Sequence, residues 1–238
     1  MDSGSSGGRF NFRSTIINRV AVYIDGFNLY HAIDDLNYFF AKGRKNGLKP
    51  AGQRVQHLKW VDLWALSETL LRDYQTLVSV NYYSAYATWL NDEMLRHKAY
   101  TTALRAAGVN VNMGVFKERS NRCKGCKATW KSHEEKESDV RASVDLVADA
   151  LLDKYDDAFL ITADSDLKPG IERVKRETPK KNVVVIAPPG RWGHARGLQP
   201  SNAITKGRLA KCLFPREVKD KNGVLLVIRP TQYNPPQV

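Results

Sequence analysis

The stretch Ala158-Phe159-Leu160-Ile161-Thr162-Ala163-Asp164-Ser165-Asp166-Leu167 passes from continuous apolarity into two carboxylates one residue apart, and then into an amphipathic segment. A short unbroken apolar run suits a strand covered on both faces. The two acids then fall at its C-terminal tip, and the following segment reads as the helix leading away. The pattern recurs near the N-terminus, where Val20-Ala21-Val22-Tyr23-Ile24 ends in Asp25-Gly26-Phe27-Asn28. Acids at the C-terminal ends of two parallel strands converge in the crevice where such sheets bind ligands.

Between and beyond these two strands the sequence alternates. Strands are expected at Val20–Asp25, Leu77–Ala85, Val109–Val115, Ala158–Ala163 and Asn182–Ala187. Helices are expected at Leu29–Leu36, Val61–Leu71, Asn91–Ala107 with Gly108 as its stop, Ser138–Leu152 with Ser138 as its cap, and Leu167–Arg176. This order predicts a doubly wound, mainly parallel five-stranded α/β sheet with right-handed crossovers, a Rossmannoid architecture. Residues 1–14 read as a disordered tail, residues 15–200 as the domain, and residues 201–238 as a C-terminal extension. Within that extension, Ile204–Leu213 suits a helix and Gly223–Ile228 an edge strand. Residues 117–137 read as a polar, basic insertion.

The acids carry the chemistry. Asp25, Asp164 and Asp166 lie at strand ends. Asp139 opens a helix that should start from the same edge of the sheet. Singly, an Asp after a strand forms a turn or caps a helix, and Asp166 suits a helix N-cap. Together, the two motifs imply a site for Mg²⁺ or Mn²⁺, hard ions that take oxygen ligands and retain water. Val140, Val144, Val147 and Leu151 recur at helical spacing and mark the expected core face of the helix that carries Asp139. Asp139 and Asp145 should flank that face, with Asp145 a turn and a half further from the active edge.

The balance of charge points to a polyanion: 37 Lys and Arg against 25 Asp and Glu give a net charge of +12. Three segments concentrate it. The first holds Lys42, Arg44 and Lys45 beside Tyr38, Phe39 and Phe40. The second holds Arg122, Lys124 and Lys127 near Trp130. The third is Arg191-Trp192-Gly193-His194-Ala195-Arg196. Cations hold phosphates and aromatic rings stack on unpaired bases, so these residues are candidates for RNA binding, with Arg191 and Arg196 in the third loop. Cys123-Lys124-Gly125-Cys126 is a single CxxC, half of a tetrahedral zinc site, to which His133 could add a third ligand. Two ordinary loop thiols are the alternative. Cys212 reads as a core residue. No apolar run reaches transmembrane length, three cysteines make no secreted framework, and the Ser/Gly-rich start lacks an apolar h-region. A soluble, cytoplasmic protein is therefore expected, with no membrane partner.

Val22-Tyr23-Ile24-Asp25-Gly26-Phe27-Asn28-Leu29 resembles the opening motif of the NYN domain family, the PIN-like nucleases. Glu134-Glu135-Lys136-Glu137-Ser138-Asp139-Val140, with Asp145-Leu146, is similar to that family's central segment. Leu160-Ile161-Thr162-Ala163-Asp164-Ser165-Asp166-Leu167 resembles its third block. The resemblance implies a PIN-like fold, a Mg²⁺ or Mn²⁺ site and phosphodiester cleavage, usually of RNA, single-stranded or structured. The family's acids fall on Asp25, Asp139, Asp164 and Asp166, its motif asparagine on Asn28, and Asp145 joins as a further metal candidate. Glu137 departs from the pattern, since many members have Gly there. Two rivals remain at this stage. One is a Mg²⁺-dependent phosphohydrolase for small phosphate esters, which would want an Asp-x-Asp after the first strand, where Gly26 and Phe27 stand instead. The other is a non-catalytic RNA-binding module, which has no need of mutually repelling acids.

Overall fold

The structure, a computed structural model, describes residues 17–42 and 55–236. It is a mixed α/β fold around a mainly parallel seven-stranded sheet, two strands more than the alternation predicts. The elements run β1 (Asn18–Asp25), α1 (Gly26–Lys42), α2 (Leu63–Glu68), β2 (Gln75–Ala85), α3 (Asn91–Ala106), β3 (Asn110–Arg122), β4 (Thr129–Lys136), α4 (Ser138–Leu151), β5 (Asp157–Ile161), α5 (Lys168–Glu177), β6 (Asn182–Ala187), β7 (Asn202–Ala203), α6 (Lys206–Lys211), β8 (Glu217–Lys219) and β9 (Leu225–Ile228). The order across the sheet is β4-β3-β2-β1-β5-β6-β7. The chain steps outward from β1 through β2 and β3, turns back at β4, and re-enters through α4 on the other side of β1. The strand order therefore reverses between β1 and β5, the place where open α/β sheets bind ligands.

The central strands are apolar throughout because both of their faces are covered. Val20, Val22 and Ile24 of β1 join one core with α1, α2, α3 and the C-terminal segment. Ala21 and Tyr23, the alternate residues, join a second core under α4 and α5. The segment after residue 200 is tied into the first core. Trp60 packs edge-on against Phe214 and donates its indole N–H to the Pro215 carbonyl at 2.9 Å, while Tyr233 lies within ring contact of Trp60. β9 pairs with β8 in a separate antiparallel ribbon and is not an edge of the main sheet.

Three sequence expectations are corrected. The polar segment after Val115 is no loop insertion: β3 continues to Arg122 and pairs antiparallel with β4, adding one strand, and the two-residue β7 adds the other. Diagonal cross-strand ion pairs, Arg119 with Glu134 at 2.9 Å and Lys131 with Glu118 at 2.9 Å, support this ribbon in place of an apolar face. Next, α4 buries Ala142, Leu146 and Ala150, whereas Val140, Val144 and Leu151 are exposed and Val147 is only partly covered. Small residues face inward because the helix lies close to its neighbours. A Cβ on Gly170 of α5 would stand 2.2 Å from the Ser143 hydroxyl. Two tyrosine hydroxyls also fix the rotation, Tyr83 donating to Asp145 at 2.8 Å and Tyr23 to Asp149 at 2.7 Å. Finally, Ser138 is not the cap of α4. Glu137 takes that position, in the left-handed region at φ 80°, and the buried Ser138 hydroxyl has no hydrogen-bond partner.

Candidate active site

Parallel register places the acids. The last paired residues of β1 and β5 are Ile24 and Ile161, so Asp25 and Thr162 emerge side by side one residue beyond. Thr162 Oγ1 donates to Asp25 Oδ2 at 3.0 Å and accepts from the Asp164 amide at 3.0 Å. The other Asp25 oxygen accepts from the Asn28 amide at 2.9 Å, across the first turn of α1. The Asn28 side chain in turn accepts from the Ala163 amide at 3.1 Å. The two strand tips are thus stitched together by Asp25, Asn28 and Thr162. Asp164, not Asp166, caps the short 3₁₀ turn Ser165–Leu167, accepting from the Asp166 amide at 2.9 Å. Gly26 is required by packing: a Cβ there would lie 2.5 Å from the Tyr82 ring and 2.6 Å from the Tyr83 carbonyl oxygen.

Asp25, Asn28, Asp139 and Asp164 line one cavity of about 360 Å³, with Glu135, Phe27, His31 and Arg191 completing the wall. The electrostatics of this cavity are those of crowded acids. Burial pushes the Asp25 carboxyl up to about 7, against the pull of the Asn28 amide, and Asp139 and Asp164 push it further. Burial likewise raises Asp139 to about 6, with repulsion from Asp164, Glu135 and Asp166 adding to it. Arg191 is the cation on the wall, and it is ion-paired with Asp35 of α1.

Of the acids singled out in the sequence, Asp25, Asp139 and Asp164 are brought together. Asp166 is exposed and acts on Asp139 only through its charge. Asp145 does not reach the cavity, because its carboxylate holds the Tyr83 hydroxyl. Glu135 and His31 were missed. Glu135 sits at the end of β4 and receives the Ser138 amide at 3.2 Å. The hairpin that delivers it has no apolar pattern, although the motif Glu134-Glu135-Lys136-Glu137-Ser138-Asp139 already held the residue. His31 lies on α1 one turn beyond Phe27, and this helical spacing was the available signal.

The basic candidates divide. Arg191 is at the cavity, and Arg196 is exposed on the 3₁₀ turn His194–Leu198. Arg122, Lys124 and Lys127 are exposed at the far end of the β3–β4 ribbon. Lys42 ends α1, while Arg44 and Lys45 lie outside the described residues. The third zinc ligand expected at His133 does not lie beside the two thiols. Cys123 and Cys126 sit in the turn of the ribbon, whereas His133 pairs with Glu118, roughly 17 Å down the ladder at about 3.4 Å per residue. His133 instead stacks on Trp89, with ring centres 3.6 Å apart.

Among the described residues, no three His, Cys, Asp or Glu side chains gather tightly enough to cage an ion. A hydrated Mg²⁺ needs no such cage, because it binds through one or two carboxylates and keeps water or substrate phosphate in its remaining positions. An all-oxygen set of Asp25, Asp139, Asp164 and Glu135 around one cavity, with two carboxyls raised by burial and by their acidic neighbours, fits that ion chemically.

The fold and site together define an α/β protein with an acid-lined cavity at the reversal point of its sheet. A family model for the NYN domain matches residues 19–196, and the chain belongs to that family, a family of PIN-like nucleases. Comparison with curated proteins finds no match. Among solved structures, the chain is similar to a protein of unknown function from Vibrio parahaemolyticus, at 17% identity and a TM-score of 0.46, covering 82% of this chain and 96% of that one. No helix among the described residues is long and apolar enough to cross a membrane.

Proposed function

We propose that this chain is a metal-dependent ribonuclease with a PIN-like fold, hydrolysing phosphodiester bonds at the cavity of Asp25, Glu135, Asp139 and Asp164. The observation that carries the reading is the convergence of these acids at the reversal point of the sheet, with Arg191 beside them. Asp25, Asp139 and Asp164 would surround a hydrated Mg²⁺ or Mn²⁺, one or two of them as direct ligands, with Glu135 and Asp166 adding charge from the wall and the rim. When bound, the ion supplies charge for the scissile phosphate and lowers the pKa of water.

The chain's own residues supply position. Thr162 and the Asn28 amide each direct one hydrogen bond at Asp25, so its free lone pairs are held toward the cavity. Asn28 fixes the Ala163 amide and with it the loop that carries Asp164. Arg191 offers a guanidinium to phosphate from the cavity wall, and Phe27 offers a ring to a base. Among the described residues, no Ser or Cys lines the cavity, which agrees with direct attack by water on phosphorus. The net charge of +12 favours a polymer over a small phosphate ester. The crowded acids favour catalysis over binding alone, because an idle cavity gains nothing from mutual repulsion.

The experiment is a substrate panel. Single-stranded RNA, duplex RNA, transfer RNA and DNA are each incubated with the full chain and Mg²⁺, Mn²⁺ or chelator. RNA cleaved only with metal supports the reading. Turnover of small phosphate esters with intact RNA would favour the phosphohydrolase, and RNA binding without cleavage the binding module.

A further inference from the structure

A second cavity, of about 190 Å³, opens on the other side of the first turn of α1. Its walls are rings: Phe27, Tyr30, Tyr82, Tyr100, Tyr233 and His97. Phe27 and His31 line both cavities, and consecutive residues divide between them, Asp25 facing the acids and Gly26 the rings. The two spaces are therefore neighbours across one helical turn.

The charges inside the second cavity are already matched. Lys59 lies 2.6 Å from Asp34 and 3.5 Å from the centre of the Tyr30 ring, and Arg96 pairs with Glu93 at 3.1 Å. Tyr82 and His97 meet through the hydroxyl and Nε2 at 3.1 Å. The half-buried His97 ring, with its pKa pushed down to about 4 by desolvation, is neutral at physiological pH. Such a space suits a flat neutral ring with polar edges better than it suits a phosphate. Apolar cavities of about 150 Å³ hold a benzene-sized ring, so this one admits a single ring more readily than a fused pair. Aromatic walls give stacking, and the hydroxyl and imidazole give edge contacts. Tyr233 lies beyond the family-matched span of residues 19–196, so this wall is a feature of the chain's own C-terminal segment.

We propose that the aromatic cavity receives an unpaired base of the RNA, a pyrimidine in preference to a purine, beside the phosphate placed at the acids. This rests on the acid cavity being the site of RNA cleavage. A base can enter only when it is out of a duplex, so the substrate class is single-stranded RNA or an unpaired loop.

The test measures binding apart from cleavage. The full chain carrying Asp25→Asn is titrated with labelled pentanucleotides of uridine, of adenosine, and of base-free ribose phosphate. Uridine should bind tightest and the base-free chain roughly tenfold or more weakly. Ala87→Leu, which fills the cavity from its half-buried rim, should lower uridine affinity about tenfold and leave base-free affinity within twofold. Tyr233→Leu, an independent change in the cavity wall, should act in the same direction, with thermal melting confirming that both variants fold. Unchanged uridine affinity in both folded variants, or equal losses for uridine and base-free chains, would overturn the proposal. Cleavage by the wild-type chain is read separately. Metal-dependent cleavage with uridine affinity unchanged in both folded variants leaves the nuclease and removes the base pocket. A uridine preference sensitive to Ala87→Leu, without cleavage, leaves the pocket and removes the nuclease.

Discussion

Thr162 and Asp25, on neighbouring parallel strands, are joined by a buried 3.0 Å hydrogen bond in which the threonine hydroxyl donates. The same hydroxyl accepts from the Asp164 amide. One small side chain therefore fixes both the buried acid and the loop bearing the next one. Thr162→Val keeps the shape and removes both bonds. A hydrogen bond to a charged group is worth about 1.5–3 kcal/mol, so cleavage should fall roughly tenfold to a hundredfold. The Asp25 carboxyl, losing a donor, should titrate higher still, and the acidic limb of the pH–rate profile should move up. A wild-type profile in a folded Thr162→Val chain would remove Thr162 from the site.

Asp139 and Asp145 share α4 but face different tasks. Asp139 opens on the cavity, and Asp145 holds the Tyr83 hydroxyl. Asp139→Asn should abolish cleavage and leave the fold intact. Asp145→Asn should retain a measurable rate, and Tyr83→Phe should do the same while losing about 1 kcal/mol of stability. A dead Asp145→Asn beside a nearly normal Asp139→Asn, both folded, would contradict the placement of the helix.

The acid cavity should make stability fall with rising pH in the absence of metal. Asp25 and Asp139 have raised pKa values in the folded chain, about 7 and about 6, so the folded state holds their protons longer than the unfolded chain does. Their contribution is fully present below the ordinary carboxylate range near pH 4 and is lost as pH climbs through 6 and 7. Asp25→Asn, which cannot ionise, should therefore raise the melting temperature at pH 8, by on the order of 1–3 kcal/mol in stability, and much less at pH 4. Mg²⁺ should stabilise the wild-type chain more at pH 8 than at pH 5, because its ligands must be deprotonated. Equal effects at both pH values would mean that burial and neighbouring acids do not raise these carboxyls in the folded chain.

Glu137 stands at φ 80° immediately before α4, a backbone conformation that favours glycine. A side chain in the left-handed region costs roughly 1–2 kcal/mol, and glycine's added freedom in the unfolded chain offsets roughly half of that. Glu137→Gly should melt at or slightly above the wild-type temperature with cleavage preserved, despite losing the exposed pair with Arg141. A clear loss of stability would show that the carboxylate matters more than the backbone.

Arg191 on the cavity wall and Arg196 on the following turn should contribute phosphate contacts. The double Arg191→Ala, Arg196→Ala chain should bind single-stranded RNA more weakly regardless of sequence. Its salt dependence should flatten by about one unit of slope per lost contact. An unchanged slope would move the RNA path elsewhere.

Much of the fold was legible because its signals are local. Val20–Asp25 and Ala158–Ile161 are continuous apolar runs ended by acids, and parallel pairing alone brings their tips together. The β3–β4 ribbon was illegible because its strands are held by ladder bonds and pairs such as Arg119 with Glu134, not by an apolar face. The core face of α4 was misread because valines look like core, whereas close approach of α5 at Gly170 selects Ala142 and Ala150 for the inside. The unread ribbon hides Glu135, whereas axial distance along α4 already set Asp145 away from the active edge. The hairpin delivers Glu135, and the rotation of α4 turns Asp145 to the sheet.

Whether Asp25 anchors a metal-dependent ribonuclease site can be decided in a single assay. End-labelled single-stranded RNA is incubated with purified wild-type and Asp25→Asn chains, each with Mn²⁺, with Mg²⁺ and with chelator. The wild-type chain should cleave in metal and not in chelator, and a folded Asp25→Asn chain should not cleave under any condition. Cleavage in chelator, or at a wild-type rate by Asp25→Asn, would contradict that assignment.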